Sequence, residues 1–338
     1  MRKDKILSIS IAAYNVETTL RETLDPFLES NVLDYLDVMI VNDGSKDSTS
    51  EIAKEYVEKY PQTFRLIEKE NGGWGSTVNS GIDFAVGKFF KQLDGDDYYK
   101  AENMPDYIDF LKKTDADLVI SPYVEYNDLT KEEISEINCN PGCEVGKTYA
   151  LESIPSFTPF MHSIAVKTEL LKENIRITEH CFYTDTEFVL KSCNLVKSVS
   201  FFGKPIYYYR RATSGQSMSL SGLEKHYKDN LKVIEVLLDY LNTSVNREEV
   251  CRIFDRLLYD TCFWQYLVML YITPNSEHRK DLIRYDKMLK TKKKDYYDKS
   301  NSGIIRKLRK THFVGYRIAA NIQKKRDNRF DAEGRMLY

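Results

Sequence analysis

The sequence predicts an α/β fold, a mostly parallel sheet with helices on both faces, continued by a helical C-terminal region. Three observations carry that prediction. Over residues 1–125, short apolar runs alternate with segments of helical spacing, and repeated β-α-β order implies a parallel sheet covered on both sides. Polar or glycine-bearing groups follow three of these runs directly, at the edge where such sheets hold ligands. From Gly222 onward the spacing is helical almost throughout.

The elements follow in order. Residues 6–12 alternate apolar with Ser and read as a strand, and Leu20, Leu24, Phe27 and Leu28 give residues 18–29 a helical face. Strands are expected at 35–41, 64–68, 88–93 and 118–124, and helices at 48–59, 77–86 and 105–113. Asp47 or Ser48 caps the first of these helices. Residues 127–147 hold Pro141, Gly142 and Gly146 and read as a loop or insertion. Beyond it, residues 150–154 predict a helix, 163–167 a strand, 168–173 and 184–192 helices, and 196–202 with 206–210 a strand pair. Helices at 226–242, 247–272, 280–290 and 304–325 complete the chain. The expected organisation is one α/β domain over residues 1–220, with halves 1–125 and 126–220, and a helical region over 221–338.

Composition narrows the class. With 338 residues and 42% hydrophobic content the chain builds a core, which excludes global disorder. The net charge of -2 hides an asymmetry: residues 279–329 carry 18 Lys or Arg against 5 Asp or Glu. Isoleucine, leucine and aromatic residues interleave with these cations, a pattern that fits an amphipathic helix on an anionic membrane, with a solvated helical face as the alternative. No nucleic-acid motif accompanies the cations, so a nucleic-acid partner is not expected. Cys139, Cys143, Cys181, Cys193, Cys251 and Cys262 lack zinc spacing and read as reduced thiols. The first residues read as a strand rather than a leader, and no run reaches the ~20 clean apolar residues of a membrane span.

Three groups carry chemistry. Asp94, Asp96 and Asp97 follow the run at 89–93, and converging carboxylates suit a hard divalent cation shared with a diphosphate. The plainer alternative is an acidic turn. Asp43 and Gly44 end the strand at 35–41, where an Asp can accept from a nucleobase N–H and glycine permits a tight turn. Asn71, Gly72, Gly73 and Gly75 precede a helix and allow close backbone approach to phosphate or sugar. It is not a P-loop, because the Lys-Ser/Thr ending is absent.

Taken together, Ser8 to Asn15, Val41 to Thr49, Asn71-Gly72-Gly73 and Leu93 to Asp97 resemble family 2 glycosyltransferases of the GT-A fold, non-processive and of the bacterial surface-polysaccharide type. The likeness is strong over about the first hundred residues. It implies a hexosyltransferase class of enzyme, with Ala12, Tyr14 and Asn15 at the nucleoside and Asp43 on the base, usually uracil. Asn71 and Gly73 would approach the donor, and Asp94 with Asp96 would form the D-x-D motif that binds Mn2+ or Mg2+. Asn42 stands where the family often has a second Asp.

The family's catalytic base lies in an acidic pair at a helix start. Here the matching text is Tyr183-Thr184-Asp185-Thr186-Glu187, with Thr in place of Glu, so Asp185 becomes the base candidate and Glu187 and Glu179 the fallbacks. A helix cap is the alternative for Asp185. Arg210 and Ser217 resemble the loop that closes over the diphosphate. The processive Gln-x-x-Arg-Trp signature is absent, which implies single-sugar transfer.

The implied reaction is inverting transfer from a nucleotide-sugar, a UDP-sugar by the family's habit, to a saccharide or lipid-linked saccharide. The implied setting is surface polysaccharide, capsule or glycolipid assembly at a cytoplasmic location, with peripheral contact at the inner face of the plasma membrane. A non-catalytic nucleotide-sugar binder on the same fold is the alternative, and Asp185 separates the two.

Overall fold

The computed structural model describes residues 4–155, 157–211, 218–326, 329 and 330. They fall into two compact units, one from Met1–Arg211 with Glu248–Ile253 and the other from Ala212–Arg247 with Phe254–Tyr338.

The first unit opens with β1 (Leu7–Ala13), α1 (Leu20–Glu29), β2 (Leu36–Asn42), α2 (Thr49–Lys59), β3 (Phe64–Glu68), α3 (Trp74–Phe84) and β4 (Phe89–Asp94). It continues through β5 (Tyr98–Tyr99), α4 (Met104–Lys113), β6 (Leu118–Ile120), β7 (Tyr123–Asn127), β8 (Glu132–Ile137) and β9 (Thr148–Ala150). Then come β10 (Ile164–Lys167), α5 (Thr168–Leu171), α6 (Asp185–Leu195), β11 (Ser198–Phe201) and β12 (Tyr207–Arg211). Eight strands form one sheet in the order β3-β2-β1-β4-β10-β6-β11-β9, and β5-β12-β7-β8 form a smaller second sheet.

The run β3-β2-β1-β4 is parallel throughout, β10 enters antiparallel to both neighbours, and β6 with β11 is parallel again. Every residue of β2 is buried, as is nearly all of β1, which is why both read as near-continuous apolar runs. Chain order runs from β1 outward to β3 and then back across β1 to β4. That reversal places a topological switch point between β1 and β4, the crevice in which open α/β sheets bind ligands.

Several sequence expectations are corrected here. The predicted strand at 118–124 is two strands in different sheets, β6 and β7, parted at Ser121-Pro122, where proline removes a ladder donor. The loop expected over 127–147 contains β8, antiparallel to β7 with a bulge at Glu125/Tyr126. Its acidic Glu-Glu-Ile-Ser-Glu-Ile text carries a weak strand signal because it is an exposed edge whose partner sets its conformation. The pair expected from 196–202 and 206–210 does not form, since β11 joins the large sheet and β12 the small one. Residues 150–154 end β9 and turn through a short 3-10 segment instead of forming an α-helix.

The second unit is helical, with α7 (Leu220–Ser244), α8 (Glu248–Tyr271, from Phe254 onward), α9 (Ser276–Lys292), α10 (Lys294–Lys299), α11 (Gly303–Lys310) and α12 (Tyr316–Arg326). Ser219 and Asn275 cap α7 and α9 by accepting from Gly222 N at 3.1 Å and His278 N at 2.8 Å. Buried polar pairs fix how the helices meet. Arg309 donates to Asp286 at 2.7 Å, to the Tyr266 hydroxyl and Ser300 Oγ at 2.9 Å, and to the Tyr297 carbonyl at 2.8 Å. With its fork filled, this buried cation locks α11 onto α9, α8 and α10. The single helix expected at 304–325 is interrupted between α11 and α12, where His312 and Phe313 take positive φ of 47° and 59°.

All six cysteines are free. Among the described residues no helix is long and apolar enough to cross a membrane.

Candidate active site

The site starts from strand register. Ala12 pairs with Val41 on one side and with Asp94 on the other, so β1, β2 and β4 end level and release their loops together. The first two loops are sewn to each other. Asn15 N donates to Ser45 Oγ at 3.0 Å, Lys46 N to Asn15 Oδ1 at 2.8 Å, Val16 N to Thr49 Oγ1 at 2.9 Å, and Ser48 N to Glu17 Oε2 at 2.9 Å. Asn15 accepts a positive φ of 53°, which asparagine tolerates better than most residues. Above this seam the Tyr14 ring stands 51% exposed, a face available for stacking.

Asp43 is buried, and its carboxylate organises the glycine loop. Oδ1 accepts from Lys69 Nζ at 2.7 Å, Gly72 N at 2.9 Å and Ser76 Oγ at 3.2 Å, while Oδ2 accepts from Gly73 N at 2.8 Å. Asn71 Nδ2 closes the turn on the Asp43 carbonyl at 3.0 Å. The loop then enters α3 through Gly73, whose φ of 79° suits glycine. Two residues on, a Cβ at Gly75 would lie 2.2 Å from the Thr178 carbonyl, so only glycine allows α3 to approach the 177–178 segment this closely. The two segments are bonded as well as packed: His180 N donates to the Gly72 carbonyl at 2.5 Å, and Asn79 exchanges hydrogen bonds with Ile177 at 2.8 and 2.9 Å.

The acidic loop after β4 contrasts with this. Asp94 accepts from Trp74 Nε1 at 2.6 Å, yet burial, the charge of Asp96 and, more weakly, that of Asp185 push its carboxyl up to about 7. Asp96 accepts from no other residue's side chain among the described residues, and burial raises it too, with Arg210 opposing. Asp97 is fully buried and serves structure: Tyr207 OH donates to Oδ2 at 2.6 Å and Arg210 N to Oδ1 at 2.7 Å, anchoring β12 beneath the acidic turn. Burial and then its acidic neighbours hold Asp97 well above the ordinary carboxylate range.

Asp185 opens α6. Its side chain remains exposed, but protein crowded around the concavity desolvates the carboxyl and raises it, against the pull of the first-turn N–H groups. Of the charges that raise Asp94, that of Asp185 acts most weakly, which places the Asp185 carboxyl within electrostatic reach of the acidic loop. The fallback bases are committed elsewhere. Glu187 is buried, accepts from Thr178 N at 3.1 Å and pairs with Lys191 at 2.7 Å. Glu179 accepts from Asn79 Nδ2 at 3.0 Å.

Arg210 is also engaged: its Nη1 donates to Glu22 at 2.7 Å and Asp128 at 2.8 Å, with the side chain almost wholly buried. Ser217 lies outside the described residues.

The donor set fits a hard divalent cation, since the raised Asp94 and Asp96 carboxyls are what a nearby positive charge would return to ionised form. A tighter grouping also exists. Asp94, Asp97 and His162 each offer a ligand atom within 4.8 Å of the others. Imidazole Nδ1 of His162 is buried without a hydrogen-bond partner, and burial with the nearby Lys91 and Arg211 charges holds the ring neutral, with a pKa of about 3.

Sequence reasoning missed Trp74, Tyr207 and Lys69 as site-builders. Trp74 had a signal, an indole inside a glycine loop. Tyr207 and Lys69 had none, because their partners lie far away along the chain.

A parallel-sheet switch point bearing a glycine loop and a cluster of raised carboxyls defines an α/β fold of the GT-A type. The comparisons agree. Residues 8–173 match the model of glycosyl transferase family 2. Two Bacillus subtilis proteins are similar: EpsH, named as a glycosyltransferase, is 28% identical over 75% of this chain and 74% of its own length. The minor teichoic acid biosynthesis protein GgaB is 26% identical over 78% of this chain but only 28% of its own. Among solved structures, residues 1–349 of Staphylococcus aureus TarS in complex with UDP-GlcNAc share the fold with a TM-score of 0.68, at 19% identity and covering 96% of this chain and 94% of that one. Residues 8–173 carry the glycosyl transferase family 2 domain, and the chain is a glycosyltransferase.

Proposed function

We propose that this enzyme moves a single hexose from a UDP-sugar to a hydroxyl of a saccharide or lipid-linked saccharide, with inversion at the anomeric carbon, in assembly of a bacterial surface polysaccharide or glycolipid on the cytoplasmic side. The observation that carries the reading is geometric: β1 and β4 end level at the switch point, and there Asp94, Asp97 and His162 each offer a ligand atom within 4.8 Å of the others. The similarity to EpsH and GgaB and the fold shared with UDP-GlcNAc-bound TarS support the donor and setting.

In this reading residues 1–125 hold the donor. Tyr14, Ala12 and Asn15 line the nucleoside, and Asp43 with Asn71 and Gly73 shapes the floor near the base and sugar. The four donors already on Asp43 make it chiefly the organiser of that floor. Asp94 and Asp96 would hold Mn2+ or Mg2+, with Asp97 and His162 behind them, and the bound cation supplies charge compensation for the diphosphate. Asp185 removes the acceptor hydroxyl proton while that oxygen bonds to the anomeric carbon and the bond from carbon to the diphosphate oxygen breaks. Its raised pKa, caused chiefly by desolvation, makes it a stronger proton acceptor than an ordinary carboxylate. Arg210 balances Asp96 from its pairing with Glu22 and Asp128, with Ser217 on the loop that follows. Residues 126–220 present the acceptor.

The test is a panel of UDP- and GDP-sugars with Mn2+, read by thermal shift, donor hydrolysis and the anomeric configuration of the product by NMR. A UDP-sugar is expected to raise Tm by mass action and to give an inverted product. Stabilisation by GDP-sugars alone would overturn the donor class, and a retained anomer would overturn Asp185 as base.

A further inference from the structure

The helical unit exposes one ordered apolar row. Val314, Ile318 and Ile322 are 76%, 68% and 41% exposed and follow one another at four-residue spacing. The opposite face of α12 is the buried one, with Tyr316, Ala319 and Ala320 against the unit's core. At about 100° per residue, Ile318 lies roughly half a circle from Tyr316, so the row points outward. Lys325 lies along this row, Arg317 and Lys324 flank it on one side and Arg326 on the other, all four exposed. Across residues 303–326 there are eight Lys or Arg and no Asp or Glu. Of these, Arg309 is consumed by its internal network, while Arg306, Lys307 and Lys310 on α11 face solvent.

The geometry points to α12, with the turn before it, as an interfacial foot that seats Val314, Ile318 and Ile322 in the headgroup region of an anionic lipid bilayer. The chemistry selects this occupant. A nucleic acid would engage the cations but leave the apolar row in water. A second copy of this chain would bring two carboxylate-free cationic faces together, an arrangement that like charge opposes. An anionic bilayer satisfies both features, apolar residues entering the acyl boundary and cations meeting lipid phosphates. The interruption at His312 and Phe313 serves this arrangement. A helix running on straight from α11 would not place Val314 ahead of Ile318 on a separately oriented axis, whereas the positive φ values restart the helix with its own outward row.

This inference is independent of the active-site reading, and its test uses the full chain. Sedimentation is measured with vesicles of phosphatidylglycerol mixed with phosphatidylcholine, and with phosphatidylcholine alone. Wild-type protein is expected to pellet with the anionic vesicles and release in high salt. Ile318→Glu with Ile322→Glu should lower partitioning at least tenfold. Lys324→Glu with Lys325→Glu should lower it about fivefold or more per site, as each surface cation contributes about that factor. Both variants change only exposed side chains, and their donor hydrolysis should match wild type.

Equal sedimentation of the Ile318/Ile322 variant would overturn the foot. So would equal binding of wild type to neutral vesicles, or a loss of self-association in the variant, seen by light scattering, without vesicle binding by wild type.

Discussion

The two sides of the candidate active site are built on opposite principles. Around Asp43 every oxygen meets a donor: Lys69, Gly72, Gly73 and Ser76 surround one carboxylate, and Asn15, Ser45, Thr49 and Glu17 stitch the adjoining loops. Around Asp94 and Asp96 desolvated carboxyls crowd one another, with Trp74 as the one side-chain donor to Asp94 among the described residues. The first arrangement stabilises the fold and presets a binding floor. The second leaves electrostatic strain, and strain of that kind gathers at functional sites. A carboxylate's environment therefore separates the organiser from the reactive group, although both are aspartates at strand ends.

Substitutions break this comparison where it is sharpest. Asp94→Asn with Asp96→Asn should abolish transfer, by about 10³-fold or more, and remove any effect of Mn2+ on UDP binding by calorimetry. The same variant should raise Tm by a few degrees, because it removes buried like charges. A fall in Tm would show that these carboxylates support the fold as Asp43 does.

Asp185→Asn should reduce transfer by about 10² to 10⁴-fold while donor affinity stays within a few-fold of wild type. Single-turnover assays alongside UDP binding separate those terms. Turnover near wild type would assign the base elsewhere.

On the organised side the expectation inverts. Asp43→Ala strands the buried Gly72 and Gly73 N–H groups and the Lys69 ammonium, and should cost about 2–4 kcal/mol of stability, seen in urea unfolding. Donor binding would weaken with it as the glycine loop loosens. Gly75→Ala should cost about 1–3 kcal/mol through the clash with the Thr178 carbonyl, and turnover should fall because the segment leading to Asp185 moves.

The smallest effect is a control outside the site. Asp117 accepts from Lys197 N at 2.9 Å, Ser198 N at 3.2 Å and Lys167 Nζ at 3.2 Å. Burial works to raise its carboxyl, but these bonds outweigh it and hold the pKa below the ordinary value. A depressed carboxyl adds stability above the unfolded-state pKa and loses it as pH falls through the folded value. Asp117→Asn should therefore cost at most about 1 kcal/mol at neutral pH, the partner lysine being partly solvated. The gap in Tm between variant and wild type should close in strong acid.

Sequence alone determined the nucleotide half. Its parallel strands are buried on both faces and its helices amphipathic, so periodicity marks them, and the ligand edge follows because carboxyl ends of strands are where Tyr14, Asp43 and Asp94 stand. The helix start at Asp185 was legible too, through the acidic text that precedes its apolar residues. Tertiary structure decided what depends on distant partners. Short edge strands such as β8 and the division of 118–124 between two sheets carry little local preference, and pairing sets them.

The difference between the fully bonded Asp43 and the crowded Asp96 lies in donors from Lys69 and the glycine loop, which no spacing reveals. The same holds for Tyr207 beneath Asp97, for the open Nδ1 of His162 and for the break that turns α12 outward. Local sequence determines the strongly periodic strands and helices. Desolvation and hydrogen-bond competition, which decide what a side chain can do, arise only once remote segments meet.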